Sequence, residues 1–494
     1  MKTKQFLQRF LAGGAGLFAF AAGASAQTIP DSYAGAQVLS GYLAQVTNNN
    51  QNASIETGEP SITGYRTLWY SWTAPASGQV TVNVNGSDNF QQVLTVWLGS
   101  ALPAINLVAN GSAGTTSLTF PVAAGTVYHI CTGSFYSSAG FGNIVVNLSL
   151  NTQSTINSLN VIGGGTTTND TFANRITVNT ELGSYIGYNG SSVKEALAPN
   201  PGTCPLWYVY HAPATGRLTL STVGSWNYTL DITVWHGTQI QSLSQLIPTS
   251  TTGTASLPVV QGNDYVVCVD SYYNVYSGPI VLTFSLNVNS DLNGYNLSGG
   301  AAFANDNFSG AATLTGSNPS VISYNSYATR QAFEPASDGT NTIWFSWTAP
   351  AAGATQLLTQ GSDAFNNILT VYTGTAINSL TQVVQTTSGA TNFTAVAGQT
   401  YYVSFGSVNS VQSGAVVLSI SGQSGGSTAP AFAIRNAVGL RFQTASGKTY
   451  RIQQSQDLSH WNSLTNIISG DGSVQEVFQD IQGTANESYR LSAQ

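Results

Sequence analysis

Leu68-Trp69-Tyr70-Ser71-Trp72-Thr73-Ala74-Pro75 is the stretch that decides the fold, because the chain writes it three times. It returns at residues 206–213 as Leu-Trp-Tyr-Val-Tyr-His-Ala-Pro and at residues 343–350 as Ile-Trp-Phe-Ser-Trp-Thr-Ala-Pro. Each copy is rich in aromatic and β-branched residues and ends at a proline, which is typical of a β-strand. Since large aromatic rings dominate β cores, we expect these rings to fill interiors, with a ligand platform as the alternative.

Further landmarks recur in the same order around each copy. Residues 95–99, Thr-Val-Trp-Leu-Gly, are matched by residues 233–237 and 370–374, and the module openings are offset by 139 and 136 residues. No stretch of the chain after residue 26 keeps a helical period, while short strands with turn signals every 8–12 residues indicate sandwiches. The sequence therefore predicts an all-β fold: a tandem array of three jelly-roll or Ig-like β-sandwiches plus a small C-terminal β-sandwich.

The repeat spacing divides the 494 residues into eight segments. The first two linkers are expected to be ordered, because Ser154 and Asn157 of one fall in register with Ser290 and Asn293 of the other. The third is Gly/Ser-rich and expected to be flexible. The segments are a signal peptide (1–26), repeat 1 (27–150), an ordered linker (151–168), repeat 2 (169–288), an ordered linker (289–304), repeat 3 (305–421), a flexible linker (422–430) and a C-terminal β domain (431–494).

The start of the chain predicts export. It carries Lys2, Lys4 and Arg9, then an apolar stretch at residues 10–22, then Ala24-Ser25-Ala26 as a cleavage site. The apolar stretch is shorter than the roughly 20 residues that span a bilayer, and no later segment is apolar enough to cross one. We therefore expect a secreted or cell-surface protein with no membrane span in the mature chain.

Charge excludes one class of partner. The chain has 13 Lys and Arg against 20 Asp and Glu. Without the three leader cations its net charge would be about −10, and its lysines would be Lys194 and Lys448 alone. A nucleic-acid binder needs a cationic surface to displace counterions, so nucleic acid is not an expected partner.

Searches for catalytic motifs find nothing. The chain has no His-Glu-x-x-His, no Gly-x-Ser-x-Gly and no phosphate loop. No catalytic residue and no metal ligand set is predicted, although an enzyme with two carboxylates far apart in sequence remains an alternative. Cys131 and Cys268 match between modules and are expected on buried strands. Cys204 could also form a disulfide with Cys268 in an exported protein, so both states stay open.

One feature suggests contact with a partner. The late hairpins of the first two modules carry aromatic residues, whereas the equivalent residues 407–411 of the third carry none. A core requirement would apply to all three modules, so these rings are candidates for sugar stacking, protein adhesion or packing on the neighbouring module. The candidate ligand-binding residues are Phe135, Tyr136, Phe141, Tyr272, Tyr273 and Tyr276.

The three modules resemble the bacterial pre-peptidase C-terminal domain over residues 28–150, 165–288 and 302–422. The resemblance rests on Asn305-Asp306-Asn307-Phe308, on Glu334-Pro335, on the repeated tryptophan strand and on residues 370–374. It implies an appendage that binds, spaces or solubilises beside a protease domain, which this chain does not contain. It also implies Asp306 and Glu334 as calcium ligands, with Glu195 of the second module out of register; turn capping by these carboxylates is the alternative.

These observations together favour a secreted or cell-surface, non-enzymatic protein that acts in adhesion or as a structural spacer. The alternative is a carbohydrate-binding protein that uses the aromatic hairpins. The expected partners are an extracellular polysaccharide or a surface protein, and no cofactor is expected apart from calcium as an alternative.

Overall fold

The computed structural model describes most of the chain: residues 29–111, 114–136, 140–166, 168–226, 230–271, 278–295, 297–363, 366–409, 413–422, 437–455, 458–463, 468–480 and 488–493. The predicted signal peptide, the hairpin residues Tyr272, Tyr273 and Tyr276 and linker residues 423–430 lie outside these ranges. The chain forms two compact units, Met1–Ser424 and Gly425–Gln494. The predicted fold class is confirmed, since the described residues form pairs of β-sheets with very little helix.

The first module places two sheets face to face, in the orders β1-β3-β8-β5-β6 and β2-β9-β4-β7. All its pairings are antiparallel except β1 with β3. The strands are β1 (Gln37–Leu39), β2 (Leu43–Asn49), β3 (Tyr65–Thr73), β4 (Gly78–Asn83), β5 (Gln92–Ala101), β6 (Ala104–Asn110), β7 (Ser117–Val122), β8 (Val127–Ser134) and β9 (Asn143–Asn151).

The second module repeats this order with one added edge strand: β11-β13-β18-β15-β16 faces β10-β12-β19-β14-β17. The strands are β10 (Val161–Thr166), β11 (Ile176–Val178), β12 (Leu182–Tyr188), β13 (Leu206–His211), β14 (Gly216–Ser221), β15 (Leu230–His236), β16 (Ser244–Gln245), β17 (Thr254–Val259), β18 (Asp264–Ser271) and β19 (Pro279–Asn287).

The third module has the topology of the second: β21-β23-β28-β25-β26 faces β20-β22-β29-β24-β27. The strands are β20 (Ala301–Ala302), β21 (Ala312–Leu314), β22 (Ser320–Tyr324), β23 (Thr340–Thr348), β24 (Gly353–Leu358), β25 (Asn367–Thr373), β26 (Thr381–Thr386), β27 (Ala390–Ala395), β28 (Thr400–Ser407) and β29 (Ala415–Gly422).

The C-terminal unit is also built of strands. One sheet pairs β30 with β34, and in the other β31 pairs with β32, β33 and β35. Tyr450 and Ile452 of β31 are buried, and the Tyr450 hydroxyl accepts a hydrogen bond from the Ala445 amide at 2.8 Å. The strands are β30 (Ala437–Gln443), β31 (Thr449–Ser455), β32 (Asn462–Ser463), β33 (Ile468–Ser469), β34 (Val474–Asp480) and β35 (Ser488–Ala493).

Helix is confined to single turns. The α-helix α1 spans Thr155–Ser158, and in the described ranges no helix is long and apolar enough to cross a membrane. The 3₁₀ turns are Ser61–Thr63, Thr168–Asp170, Phe172–Asn174, Ile240–Ser242, Asp291–Gly294, Phe308–Gly310, Ala336–Asp338 and Ile377–Ser379.

The repeated tryptophan strand is buried on both of its faces, as predicted. Tyr70 and Trp72 point between the two sheets and join the main core. Trp69 points to the outer face of the sheet, where the loop from the module opening covers it with Tyr33. The rings meet edge to face with centroids 5.0 Å apart, and Phe172–Trp207 and Phe308–Trp344 repeat this contact at 5.5 and 5.3 Å. Each module therefore has a second aromatic cluster outside the sandwich.

A buried asparagine ties the late hairpin of each module to the start of its tryptophan strand. The Asn50 amide group accepts from the Gly142 amide at 2.9 Å and donates to the Arg66 carbonyl. Asn189 and Asn325 make the equivalent bonds at the 139- and 136-residue offsets. All three asparagines are fully buried, where an unpaired amide would be costly, so the contact ties Gly142, Gly278 and Gly414 to the tryptophan strand of their own modules.

The two linkers predicted to be ordered each hold an edge strand of the following module. β10 pairs in parallel with β12, and β20 pairs in parallel with β22. On the strand next to each edge strand, a buried tyrosine makes a hydrogen bond to the preceding module. The Tyr188 hydroxyl donates to the Pro121 carbonyl, and the Tyr324 hydroxyl donates to the Pro258 carbonyl. The two junctions therefore share one contact, and they differ in what surrounds it.

Candidate functional site

The aromatic hairpin of the first module lies on the surface. Phe135, Tyr136 and Phe141 are 38%, 58% and 47% exposed. The Phe135 and Tyr136 rings meet edge to face at 5.0 Å, and the Arg66 guanidinium lies 5.5 Å from the centre of the Phe141 ring. These residues form an exposed aromatic patch. Its predicted counterpart, Tyr272, Tyr273 and Tyr276, lies outside the described residues, so the two patches cannot be compared.

At the first junction, the edge of the first module contacts the second module directly, next to Tyr188. The Leu107 amide on β6 donates to the Ser191 hydroxyl at 3.2 Å. The Leu107 carbonyl approaches Gly190 so closely that a Cβ at that position would collide with it. Glycine at 190 therefore lets the edge of the first module close directly onto the loop of the second.

At the second junction, the two modules leave a gap at the equivalent place. Ser326 and Tyr327 stand where the first junction has Gly190 and Ser191, and β16 has two residues where β6 has seven. Between the modules lies a cleft of about 640 Å³, a size typical of small-molecule sites. Its lining comes from Pro199, Pro201, Trp235, Leu243, Ser244, Gln245, Leu246, Thr249, Phe303, Asn305, Asp306, Tyr324, Ser326, Tyr327, Ala328 and Ile343.

The cleft combines aromatic rings with neutral polar groups. Tyr327 is 62% exposed and adopts a left-handed backbone conformation (φ 61°), which is strained for a residue with a side chain. The buried Trp235 indole N–H has no hydrogen-bond partner among the described residues. Phe303 is fixed by stacking on His236, with ring centres 3.8 Å apart. Sequence patterns did not show this cleft, because its walls come from two modules.

The calcium ligands implied by the family resemblance are engaged in other contacts. The Asp306 carboxylate accepts from the Thr329 amide and hydroxyl at 2.6 and 2.9 Å. The Glu334 carboxylate accepts from the Trp344 indole N–H at 2.9 Å and from the Thr342 hydroxyl at 2.6 Å. Burial raises the pKa of Glu334. These contacts match the alternative, in which the carboxylates hold loops, and the described residues contain no group of three or more acids, histidines or cysteines suited to a metal.

The second module lacks the glutamate that accepts from the tryptophan indole in the other two modules. Ala198 occupies the position of Glu59 and Glu334, and the Trp207 indole N–H has no hydrogen-bond partner in the part of the chain that the structure describes. Glu195 is out of register with Glu334, as expected, because it matches Glu56 and Gln331. It accepts from the Phe172 amide at 2.6 Å, as those two residues accept from the openings of their own modules.

Two buried aspartates are found in the second module at positions that are apolar or glycine in the others. Asp231 on β15 pairs directly with Asp270 on β18, and each is 1% exposed. Burial raises the pKa of both, and the Asp270 charge raises that of Asp231 further. The Asp270 carboxylate accepts from the Cys204 amide at 2.9 Å and from the Asn200 side chain. Neither oxygen of Asp231 has a hydrogen-bond partner among the described residues.

The cysteines form no disulfide, so the Cys204–Cys268 alternative is wrong in this structure. Cys131 and Cys268 are fully buried on the matching strands β8 and β18, as expected, and burial raises the pKa of both thiols. A buried thiol that stays protonated is a poor nucleophile and a poor metal ligand. The cysteines therefore serve as small core side chains, apart from the half-buried Cys204.

No family model and no curated protein matches the chain. Among solved structures it is similar to the exported protein XepA of PBSX, at 11% identity over 49% of this chain and 86% of that chain, with a TM-score of 0.14. It is similar to the triple jelly-roll structure of an archaeal virus turret at 9% identity, over 77% and 89%, with a TM-score of 0.17. For tripeptidyl peptidase 2 the identity is 10%, over 89% and 37%, with a TM-score of 0.17. Similarities this low identify neither a family nor an activity.

Proposed function

We propose that this chain is a non-enzymatic, exported adhesion protein, and that the cleft between its second and third modules binds a saccharide of an extracellular polysaccharide. The observation that carries the proposal is the cleft itself, which is open at one of two otherwise matching junctions. A fold that needed only to connect its modules could have closed both junctions in the same way.

The chemistry of the cleft suits a neutral sugar. Tyr327, which is 62% exposed, offers a ring face for the C–H face of a pyranose, and such a contact uses large apolar area with little loss of side-chain freedom. Trp235 also lines the cleft but is buried. The half-buried Gln245 and the exposed Ser244 add an amide and a hydroxyl group for sugar hydroxyls. Arg and Lys are absent from the described lining, which disfavours an anionic ligand.

The same lining supports binding without catalysis. Asp306 is the acid among the described lining residues, and the Thr329 amide and hydroxyl hold its two oxygens. Glycoside hydrolysis ordinarily requires two carboxyl groups on opposite sides of the scissile bond. We therefore assign the cleft to recognition.

The exposed aromatic patch on the first module supports a second contact with the same polymer. Phe135 and Tyr136 lie on a separate module from the cleft, and a long glycan could engage both sites. Linked sites bind one polymer more tightly than either site alone, because the second contact becomes intramolecular. A structural spacer is the remaining candidate, and the matching Tyr188 and Tyr324 contacts favour it.

A panel of immobilised neutral polysaccharides and a glycan array, probed with the chain from residue 27 onward, test this proposal. We expect binding that Tyr327→Ala weakens about tenfold, since a stacked ring contributes roughly 1–2 kcal/mol. Tyr65→Ala, which removes an exposed tyrosine ring from the first module, is the control and should leave the cleft unaffected. The proposed saccharide cleft is overturned if no saccharide binds, or if binding is indifferent to Tyr327→Ala and to Trp235→Phe.

A further inference from the structure

We propose that Asp231, Asp270 and Asn200 of the second module form a binding site for a hard divalent cation of the Ca²⁺ type. The three residues come from β15, from β18 and from the loop that covers the outer face of their sheet. None of them belongs to the carboxylates that the family resemblance implied.

The fold itself does not need these carboxylate oxygens. The first module has Val93 and Gly133 at the positions of Asp231 and Asp270, and these two residues also pair directly. The third module has Ile368 and Gly406 there, again paired. Two of three copies of the same sheet thus form with no carboxylate at either position, so the aspartates are a property of the second module alone.

Several side-chain oxygen atoms of these residues have no hydrogen-bond donor among the described residues. Asp231 is 1% exposed and Asn200 is fully buried. Both carboxylate oxygens of Asp231 and the amide oxygen of Asn200 lack hydrogen-bond partners in the described ranges. Asn200 is directed at the pair, because its amide nitrogen donates to the Asp270 carboxylate. An isolated buried carboxylate costs several kcal/mol, and a bound cation would offset this cost while using the unpaired oxygens.

The ligand atoms indicate which kind of cation would bind here. Lys194 is the nearby cation, and its ammonium group donates to the main-chain carbonyl of Asn200 instead of to either carboxylate. Two carboxylates and an amide oxygen are hard ligands, which Ca²⁺ prefers over nitrogen or sulfur. Cys268 on the same face stays protonated, so a thiolate-seeking metal such as Zn²⁺ is not favoured.

The site adjoins the proposed saccharide cleft. Asn200 lies between Pro199 and Pro201, which both line the cleft, and Trp235 of the cleft follows Asp231 on the same strand and the same face. A cation held by Asn200 would fix this wall of the cleft. This consequence rests on the proposed function, whereas cation binding itself does not.

Terbium luminescence tests the site directly. Tb³⁺ replaces Ca²⁺ at oxygen sites and is excited through nearby indoles, here those of Trp207 and Trp235. The chain from residue 27 onward, freed of metal with EDTA, is titrated with Tb³⁺ while the indoles are excited. We expect saturable emission that Ca²⁺ competes away, and a loss of affinity of tenfold or more in Asp231→Asn, as removal of a ligand typically causes.

Two variants make the result decisive. Asp291→Asn removes an exposed acid from the linker that follows the second module and should not change the emission. Asp231→Val with Asp270→Gly installs the residue pair of the first module, which is compatible with this sheet, and should abolish binding. The cation site is overturned if Tb³⁺ gives no sensitised emission and Ca²⁺ does not raise Tm, or if emission persists in the double variant. Failure of glycan binding with intact Tb³⁺ binding would overturn only the saccharide proposal.

Discussion

The hydroxyl oxygens of Tyr128 and Tyr188 lie 2.7 Å apart across the boundary between the first and second modules. Tyr128 also accepts from the Ala123 amide at 3.0 Å, and burial raises its pKa to about 12. The two phenols therefore stay protonated and bonded at all ordinary pH values. Tyr265 and Tyr324 occupy the same positions at the second junction, so one interaction is used twice to join consecutive modules.

Removing the crossing hydroxyl should loosen a junction without disturbing either core. We expect Tyr188→Phe and Tyr324→Phe each to lower the free energy of unfolding by about 1–2 kcal/mol, because each leaves a buried proline carbonyl without its donor. Differential scanning calorimetry of the chain from residue 27 onward measures this. Tyr136→Phe, which removes an exposed hydroxyl, is the control, and an equal effect of all three variants would contradict the assignment.

Glu334 should stabilise the third module, since its carboxylate accepts hydrogen bonds from two buried donors. We expect Glu334→Ala to cost about 2–3 kcal/mol, because the Trp344 indole and the Thr342 hydroxyl are then left unpaired. Glu334→Gln keeps one acceptor oxygen and should cost less. Denaturant unfolding followed by tryptophan fluorescence separates the two. The explanation fails if both substitutions have the same effect.

The aromatic patch on the first module should contribute almost nothing to folding. We expect Phe135→Ser with Tyr136→Ser to change the free energy of unfolding by no more than about 0.5 kcal/mol per residue, as exposed positions do. Tyr70→Ala in the core should cost about 3–5 kcal/mol by comparison. Parallel urea titrations check the contrast. A large loss in the hairpin variant would show that the patch packs on a neighbour.

The buried aspartates give the second module a pH dependence. Burial raises the pKa of Asp231 and Asp270, so the folded state holds their protons more tightly than the unfolded state does. Their favourable contribution is complete below the unfolded value of about 3.9 and is lost as the pH rises through the folded values. In EDTA, we therefore expect Asp231→Asn to gain stability relative to the wild type between pH 4 and pH 7. Tm measured across this range reports it, and a constant difference would argue against the shift.

The repeats carried most of the fold prediction. Strand type, burial of the tryptophan strand and the likeness of the junctions all follow from residues that recur at matching offsets. Asn50, Asn189 and Asn325 recur in the same way, but asparagine is so common in this chain that their roles did not stand out. The change from Val93 and Gly133 to Asp231 and Asp270 was equally visible in the sequence, and it becomes meaningful only when strand register places the two side by side.

The cleft could not be predicted, because it depends on how closely two modules approach. Gly190 permits contact at the first junction, while Ser326 and Tyr327 stand at the matching place in the second. Nothing in a strand pattern reports the distance between neighbouring sandwiches. The difference arises from a shorter edge strand and bulkier loop residues, which act only after both modules have folded.

The parallel pairing of β10 with β12 has a practical consequence for dividing the chain. Without β10, the outer edge of β12 presents free amide and carbonyl groups, and exposed edges of this kind promote aggregation. A recombinant fragment that begins at residue 169 would lack β10 and expose the edge of β12. A fragment that begins at residue 152 would keep β10 and leave that edge covered. The connector before the second module thus also covers a sheet edge, and we expect fragments of this module to aggregate less when the connector is included.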